Sequence, residues 1–128
     1  MTDNALPKIL IADDDPEILK MVEAALQPVR AQIVKATNGD KALEMFLVEQ
    51  PDLVILDVMM PGLSGWEVAK YIRDRDQYKG VKLLMLTGIG ELTNDATAPV
   101  IGADDHLDKP FSFEVLAGRV RKLLGQEA

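Results

Sequence analysis

The chain has no cysteine. Disulfides, thiol nucleophiles and zinc–thiolate sites are therefore excluded. Long apolar runs are missing too: stretches such as 53–56 and 83–86 are far too short to span a bilayer. The polar start, residues 1–8, has no charged segment followed by an apolar one, so no secretory signal is expected. Basic residues are in deficit, with 14 Lys and Arg against 21 Asp and Glu and a formal net charge of −7. Direct nucleic-acid binding through a broad basic surface is not expected from that balance. There is no internal repeat, low-complexity tract or linker. The single histidine, His106, has no catalytic partner placed beside it by the sequence.

What is present is an ordinary globular composition: 128 residues, 48% hydrophobic and 27% charged, the size of one domain. Residues 8–12 read as a buried strand. Asp15 with Pro16 starts a helix striped by Ile18, Leu19, Val22, Ala25 and Leu26. Residues 32–37 alternate like a second strand. Asn38-Gly39 opens a helix that Pro51 stops. Residues 53–56 form a third strand, apolar on both faces. Ser64 with Glu67 resembles a capping box ahead of Val68, Ala69 and Ile72. A fourth strand covers 81–86 and a short fifth 105–108. Ser112 begins a last helix that Gly125 ends. Between the fourth and fifth strands, residues 91–101 should hold another helix. Asn94, Asp95 and Pro99 make it a weak one, since an interior proline costs about 3 kcal/mol.

Continuous apolar strands alternating with helices indicate a parallel sheet covered on both faces. The expected fold class is α/β: a flavodoxin-like, doubly wound, five-stranded parallel sheet of order 2-1-3-4-5 with five helices, the fourth weak. The chain reads as one domain, 1–128, with its core over about 8–124.

Such sheets bind ligands beyond the carboxyl ends of their strands. Here the first strand runs into Asp13, Asp14 and Asp15, the third into Asp57, the fourth into Thr87 and the fifth into Lys109. Two carboxylates about 4 Å apart repel by roughly 4 kcal/mol at an effective dielectric near 20. A hard divalent cation such as Mg²⁺ relieves this, and Lys109 can pair with Asp57. A carboxylate nucleophile, a metal and a cationic clamp suit phosphoryl transfer. Singly, these residues say little. Asp15 suits an N-cap, Asp13 and Asp14 suit a solvated loop, and Asp57 suits a strand end.

Together, four segments resemble the receiver domains of bacterial two-component response regulators. They are Ile9-Leu-Ile-Ala-Asp13-Asp14-Asp15, Leu53-Val-Ile-Leu-Asp57-Val-Met-Met-Pro61-Gly62 with Ser64-Gly65, Leu84-Met-Leu-Thr87-Gly88, and Gly102-Ala-Asp-Asp-His-Leu-Asp-Lys109-Pro110-Phe111. The resemblance covers 8–124 and implies a set of roles. Asp57 accepts a phosphoryl group from a histidine kinase or phosphotransfer protein. Asp13, Asp14 and Asp57 hold Mg²⁺, with the backbone carbonyl of Met59. Lys109, Thr87 and the backbone N–H groups of Met59 and Gly88 contact the phosphoryl group. Thr87 then moves, switching a surface read by a protein partner or an output domain. The resemblance also implies a cis Lys109–Pro110 bond, a cytoplasmic setting, and a signalling domain rather than an enzyme acting on other molecules. The inward-rotating aromatic position holds His106, where the family usually has Tyr or Phe, so a switch role and a plain packing role both stand.

Other classes fit less well. A haloacid-dehalogenase-type phosphatase needs a second Asp two residues after the nucleophile, where this chain has Met59. A flavodoxin-like electron carrier needs a hydroxyl- and glycine-rich loop after the first strand, where Asp13-Asp14-Asp15 would repel a flavin phosphate. An unphosphorylated scaffold on this fold would lack one of the Asp, Thr or Lys residues. No output domain follows the last helix in this sequence, which suits either a stand-alone regulator or a receiver cut from a longer chain.

Overall fold

The computed structural model describes residues 6–88 and 102–126. Five parallel strands form one sheet of order β2-β1-β3-β4-β5: β1 (Lys8–Ala12), β2 (Gln32–Ala36), β3 (Leu53–Asp57), β4 (Lys82–Thr87) and β5 (Asp105–Asp108). Four α-helices accompany them among the described residues, α1 (Pro16–Ala25), α2 (Gly39–Glu49), α3 (Gly65–Arg73) and α4 (Phe113–Leu124), with a short 3-10 helix at Asp76–Tyr78. The architecture is the one expected from the sequence. The weak helix expected over 91–101 lies outside the described residues.

Strand alternation sorts the core into two halves. Ile9, Ile11, Leu53, Ile55, Leu84 and Leu86 face one side and pack on Leu19, Val22 and Ala25 of α1 and Leu116, Ala117 and Val120 of α4. Leu10, Ala12, Val54, Leu56, Leu83 and Met85 face the other and pack on Ala42 and Phe46 of α2 and Val68, Ala69 and Ile72 of α3. Period-2 alternation with both faces apolar is what a doubly covered sheet requires. All five residues of β3 are buried, whereas the edge strands β2 and β5 are partly exposed.

The helix ends follow the local chemistry. The Asp15 side chain accepts the Glu17 N–H with Pro16 at the first turn, and Asn38 accepts from Lys41. Ser64 and Glu67 form a reciprocal capping box. Gly125, at φ 72°, ends α4.

Arg73, at the end of α3, fastens the chain where it re-enters the sheet. Its Nε donates to Gly102 O at 2.7 Å, and its terminal NH2 group donates to Val81 O at 2.7 Å and pairs with Asp104 Oδ2 at 2.7 Å. Asp104 Oδ2 also accepts the Leu83 N–H at 2.8 Å, tying β4 to the approach of β5.

Candidate functional site

The sheet register assembles the site. Ile11 pairs with Ile55 and Ala12 with Leu56, so the next residue of each chain segment, Asp13 and Asp57, emerges side by side. Asp57 in turn pairs with Leu86, and Thr87 with Asp108, which places Thr87 and Lys109 at the same edge. The Lys109 N–H donates to Thr87 O at 2.7 Å, and the Lys109–Pro110 bond is cis, as the resemblance to receiver domains implies.

α3 closes in from the other direction. The Gly65 N–H donates to Val58 O at 2.9 Å. A Cβ on Gly65 would collide with the carbonyl oxygen of Asp57 and sit 3.0 Å from Val58 Cα. Only glycine allows the helix to start this close to the end of β3.

Asp13, Asp57 and Thr87 are the three buried polar side chains among the described residues. Asp14, one residue on, is exposed. Lys109 Nζ lies 3.0 Å from Asp57 Oδ1 and 3.0 Å from Asp13 Oδ2, bridging the two carboxylates. Asp13 Oδ1 accepts the Asp15 N–H at 2.9 Å. Asp13 Oδ2 is buried with no hydrogen-bond partner, because its close approach to Lys109 lacks hydrogen-bonding geometry.

The ionisation pattern follows from burial and charge. Desolvation pushes the Asp13 carboxyl above its usual range, against the pull of the Asp15 N–H and Lys109, with the Asp14 charge adding to the rise. A raised folded-state value means that Asp13 favours the fold while protonated and costs stability once pH rises through that value. Burial alone would lower the Lys109 ammonium. The hydrogen bond to Asp57 and the negative charges of Asp57 and Asp13 together outweigh it, so its value is raised and it stays charged at neutral pH.

Carboxylate oxygens of Asp13, Asp14 and Asp57 all lie within 4.8 Å of one another. Three oxygen donors, one of them buried and short of a hydrogen bond, fit a hard divalent cation of the Mg²⁺ kind. Met59 is 60% exposed beside the end of β3, and Gly88 follows Thr87 directly. His106 is exposed on β5, opposite Met85, and Arg119 donates to its backbone carbonyl at 3.2 Å.

Two features were not read from the sequence. One is the close fit of Gly65, although the Ser64-Gly65 turn marks its place. The other is a hydrogen bond from Thr87 Oγ1 to Asp108 Oδ1 at 2.6 Å. The short β5 run, whose next residue is Lys109, carried the only hint that Asp108 would face Thr87.

Comparisons with known proteins agree on one family. The profile of the family described as "Response regulator receiver domain" matches residues 9–121. "Probable transcriptional regulator ycf27" of Porphyra purpurea is 40% identical over 122 residues, which are 95% of this chain and 49% of that protein. The "DNA-binding dual master transcriptional regulator RpaA" of Synechocystis is 37% identical over 119 residues, 93% of this chain and 49% of that one. The chain thus spans about half the length of these curated relatives. Among solved structures, the chemotaxis response regulator CheY4 of Vibrio cholerae is similar with a TM-score of 0.84 at 32% identity, covering 93% of this chain and 99% of that one.

Proposed function

Because the chain belongs to the response-regulator receiver family over residues 9–121, we propose that it accepts a phosphoryl group on Asp57 and relays that event to a protein partner. The carrying observation is the bridge from Lys109 Nζ to both Asp57 and Asp13, 3.0 Å from each, at the edge of the sheet. That geometry supports a nucleophilic carboxylate held ready beside a mobile positive charge.

In this reading Asp13, Asp14 and Asp57, with the backbone carbonyl of Met59, hold Mg²⁺. When bound, the ion offsets the crowded carboxylates and the charge on the phosphoryl oxygens. A carboxylate oxygen of Asp57 bonds to phosphorus as the phosphorus–nitrogen bond of a phosphohistidine donor breaks. The bonding electron pair leaves with the donor imidazole. Lys109 passes from Asp57 to a phosphoryl oxygen, and its raised pKa keeps it charged for that task. The Thr87 hydroxyl and the N–H groups of Met59 and Gly88 donate to the other oxygens. Thr87 and His106 make the switch, Thr87 by turning toward the new anion and His106 by its place on the same edge of the sheet.

The donor is a histidine kinase or phosphotransfer protein, and the reader is a protein partner or an output domain. The whole of 1–128 acts as one receiver, a signalling domain whose chemistry is confined to its own aspartate. RpaA is described as DNA-binding; the charge of −7 supports assigning no direct nucleic-acid contact to this segment. No helix among the described residues is long and apolar enough to cross a membrane, and the assigned setting is the cytoplasm without membrane attachment.

Intact-mass measurement after incubation with acetyl phosphate tests the reading. The expected result is gain of one phosphoryl group with Mg²⁺ and none with EDTA. No gain under either condition would refute it.

A further inference from the structure

One short contact at the end of the sheet has no part in the chemistry just described. Thr87 ends β4, Asp108 ends β5, and the two residues are paired across the strands. Paired residues of neighbouring strands point to the same face. Thr87 Oγ1 donates to Asp108 Oδ1 at 2.6 Å, the length of a charge-assisted O–H···O⁻ bond. Thr87 is fully buried while Asp108 is exposed.

A threonine hydroxyl has one proton to give. It cannot serve Asp108 and a phosphoryl oxygen together. Resting on the phosphoacceptor reading, we propose that Asp108 is a positioning residue that latches the Thr87 hydroxyl in the resting protein, so that phosphorylation of Asp57 must take the proton from β5. The latch lowers the affinity of the site for a phosphoryl group by the strength of this one bond. Once the hydroxyl turns away, the Asp108 carboxylate has lost its donor at the end of β5, two residues along from His106 and on the same face. The strands stay aligned throughout, because the backbone bond from Lys109 N to Thr87 O, at 2.7 Å, uses neither side chain. Coupling from β4 to β5 then runs through a hydrogen bond exchanged at Thr87, with the exposed His106 imidazole free to follow.

The test is a beryllofluoride titration with Mg²⁺, followed by NMR, on wild type, Asp108→Ala, Thr87→Ala and the double variant. Asp108→Ala removes the acceptor at an exposed position and is expected to tighten beryllofluoride binding about five-fold, allowing for partial solvent screening of a charged hydrogen bond. In the Thr87→Ala background the same change is expected to have no effect, since no hydroxyl is left to release. Unchanged affinity in Asp108→Ala overturns the latch. So does tightening that persists undiminished without Thr87, which would reflect only the removal of a negative charge. A wild type that binds no beryllofluoride would overturn the phosphoacceptor reading itself.

Discussion

Replacing Lys109 by Met is expected to destabilise the metal-free protein by about 3 kcal/mol, and to slow phosphoryl uptake from acetyl phosphate about a hundred-fold. Methionine keeps most of the apolar stem and removes only the charge. Lys109 is 20% exposed, and the Asp13 and Asp57 side chains it bridges are 0% and 3% exposed. Stripping the cation leaves two buried carboxylates repelling one another with less positive charge to offset them, which is the costly way to break an ion pair. At the proposed metal site, Mg²⁺ would place a different positive charge among the same oxygens. The deficit is therefore expected to shrink when urea denaturation is repeated with Mg²⁺ in place of EDTA. A loss below about 1 kcal/mol in EDTA, the range of exposed ion pairs, would show that the bridge is not what stabilises these carboxylates.

A second large effect is expected at Gly65, and its sign comes from comparing two magnitudes. Glycine to alanine in a helix gains up to about 1 kcal/mol in propensity. At Gly65 the added Cβ meets the carbonyl oxygen of Asp57 and the backbone of Val58, neither of which can yield without moving β3. Such overpacking costs about 1–3 kcal/mol, occasionally more. The clash wins, so Gly65→Ala should lower stability by about 2 kcal/mol and displace the site's own backbone. At Gly118, inside α4, an added Cβ meets nothing within 4 Å. There the propensity gain stands alone, and Gly118→Ala should raise stability by about 0.5–1 kcal/mol. Thermal or urea unfolding of the pair reads both. Equal and small shifts would mean that α3 sits less tightly over β3 than the structure has it.

The sheet was legible because its signal is strong and local. β3 is apolar at every position before Asp57, and the helix starts at Asp15, Asn38, Ser64 and Ser112 each carry a side chain that caps the N–H groups beyond it. Boundaries slipped by a residue where neighbours compete. Val81 reads as strand from its β-branched side chain, yet its N–H donates to Tyr78 O, which closes a turn, and β4 begins at Lys82.

The site's location followed from topology, since four strands end in polar residues at one edge. Its detailed wiring did not. Nothing local says that the Lys109 ammonium sits between Asp13 and Asp57 instead of on one alone. That depends on side-chain reach across three strands. The Thr87–Asp108 bond is hidden for the same reason: a register of one residue either way would turn Asp108 to the opposite face. The role of Arg73 is hidden too, because only the fold brings Gly102, Val81 and Asp104 to it.

Phosphorylation of Asp57 itself is tested by peptide mapping by mass spectrometry after incubation with acetyl phosphate and Mg²⁺, run on wild type and Asp57→Asn. One phosphoryl group is expected on the peptide that contains Asp57 in wild type and none anywhere in the variant, which keeps the shape of the side chain but not its nucleophilic charge. Equal phosphorylation of both proteins, or a phosphoryl group mapped to a different residue in wild type, would contradict it.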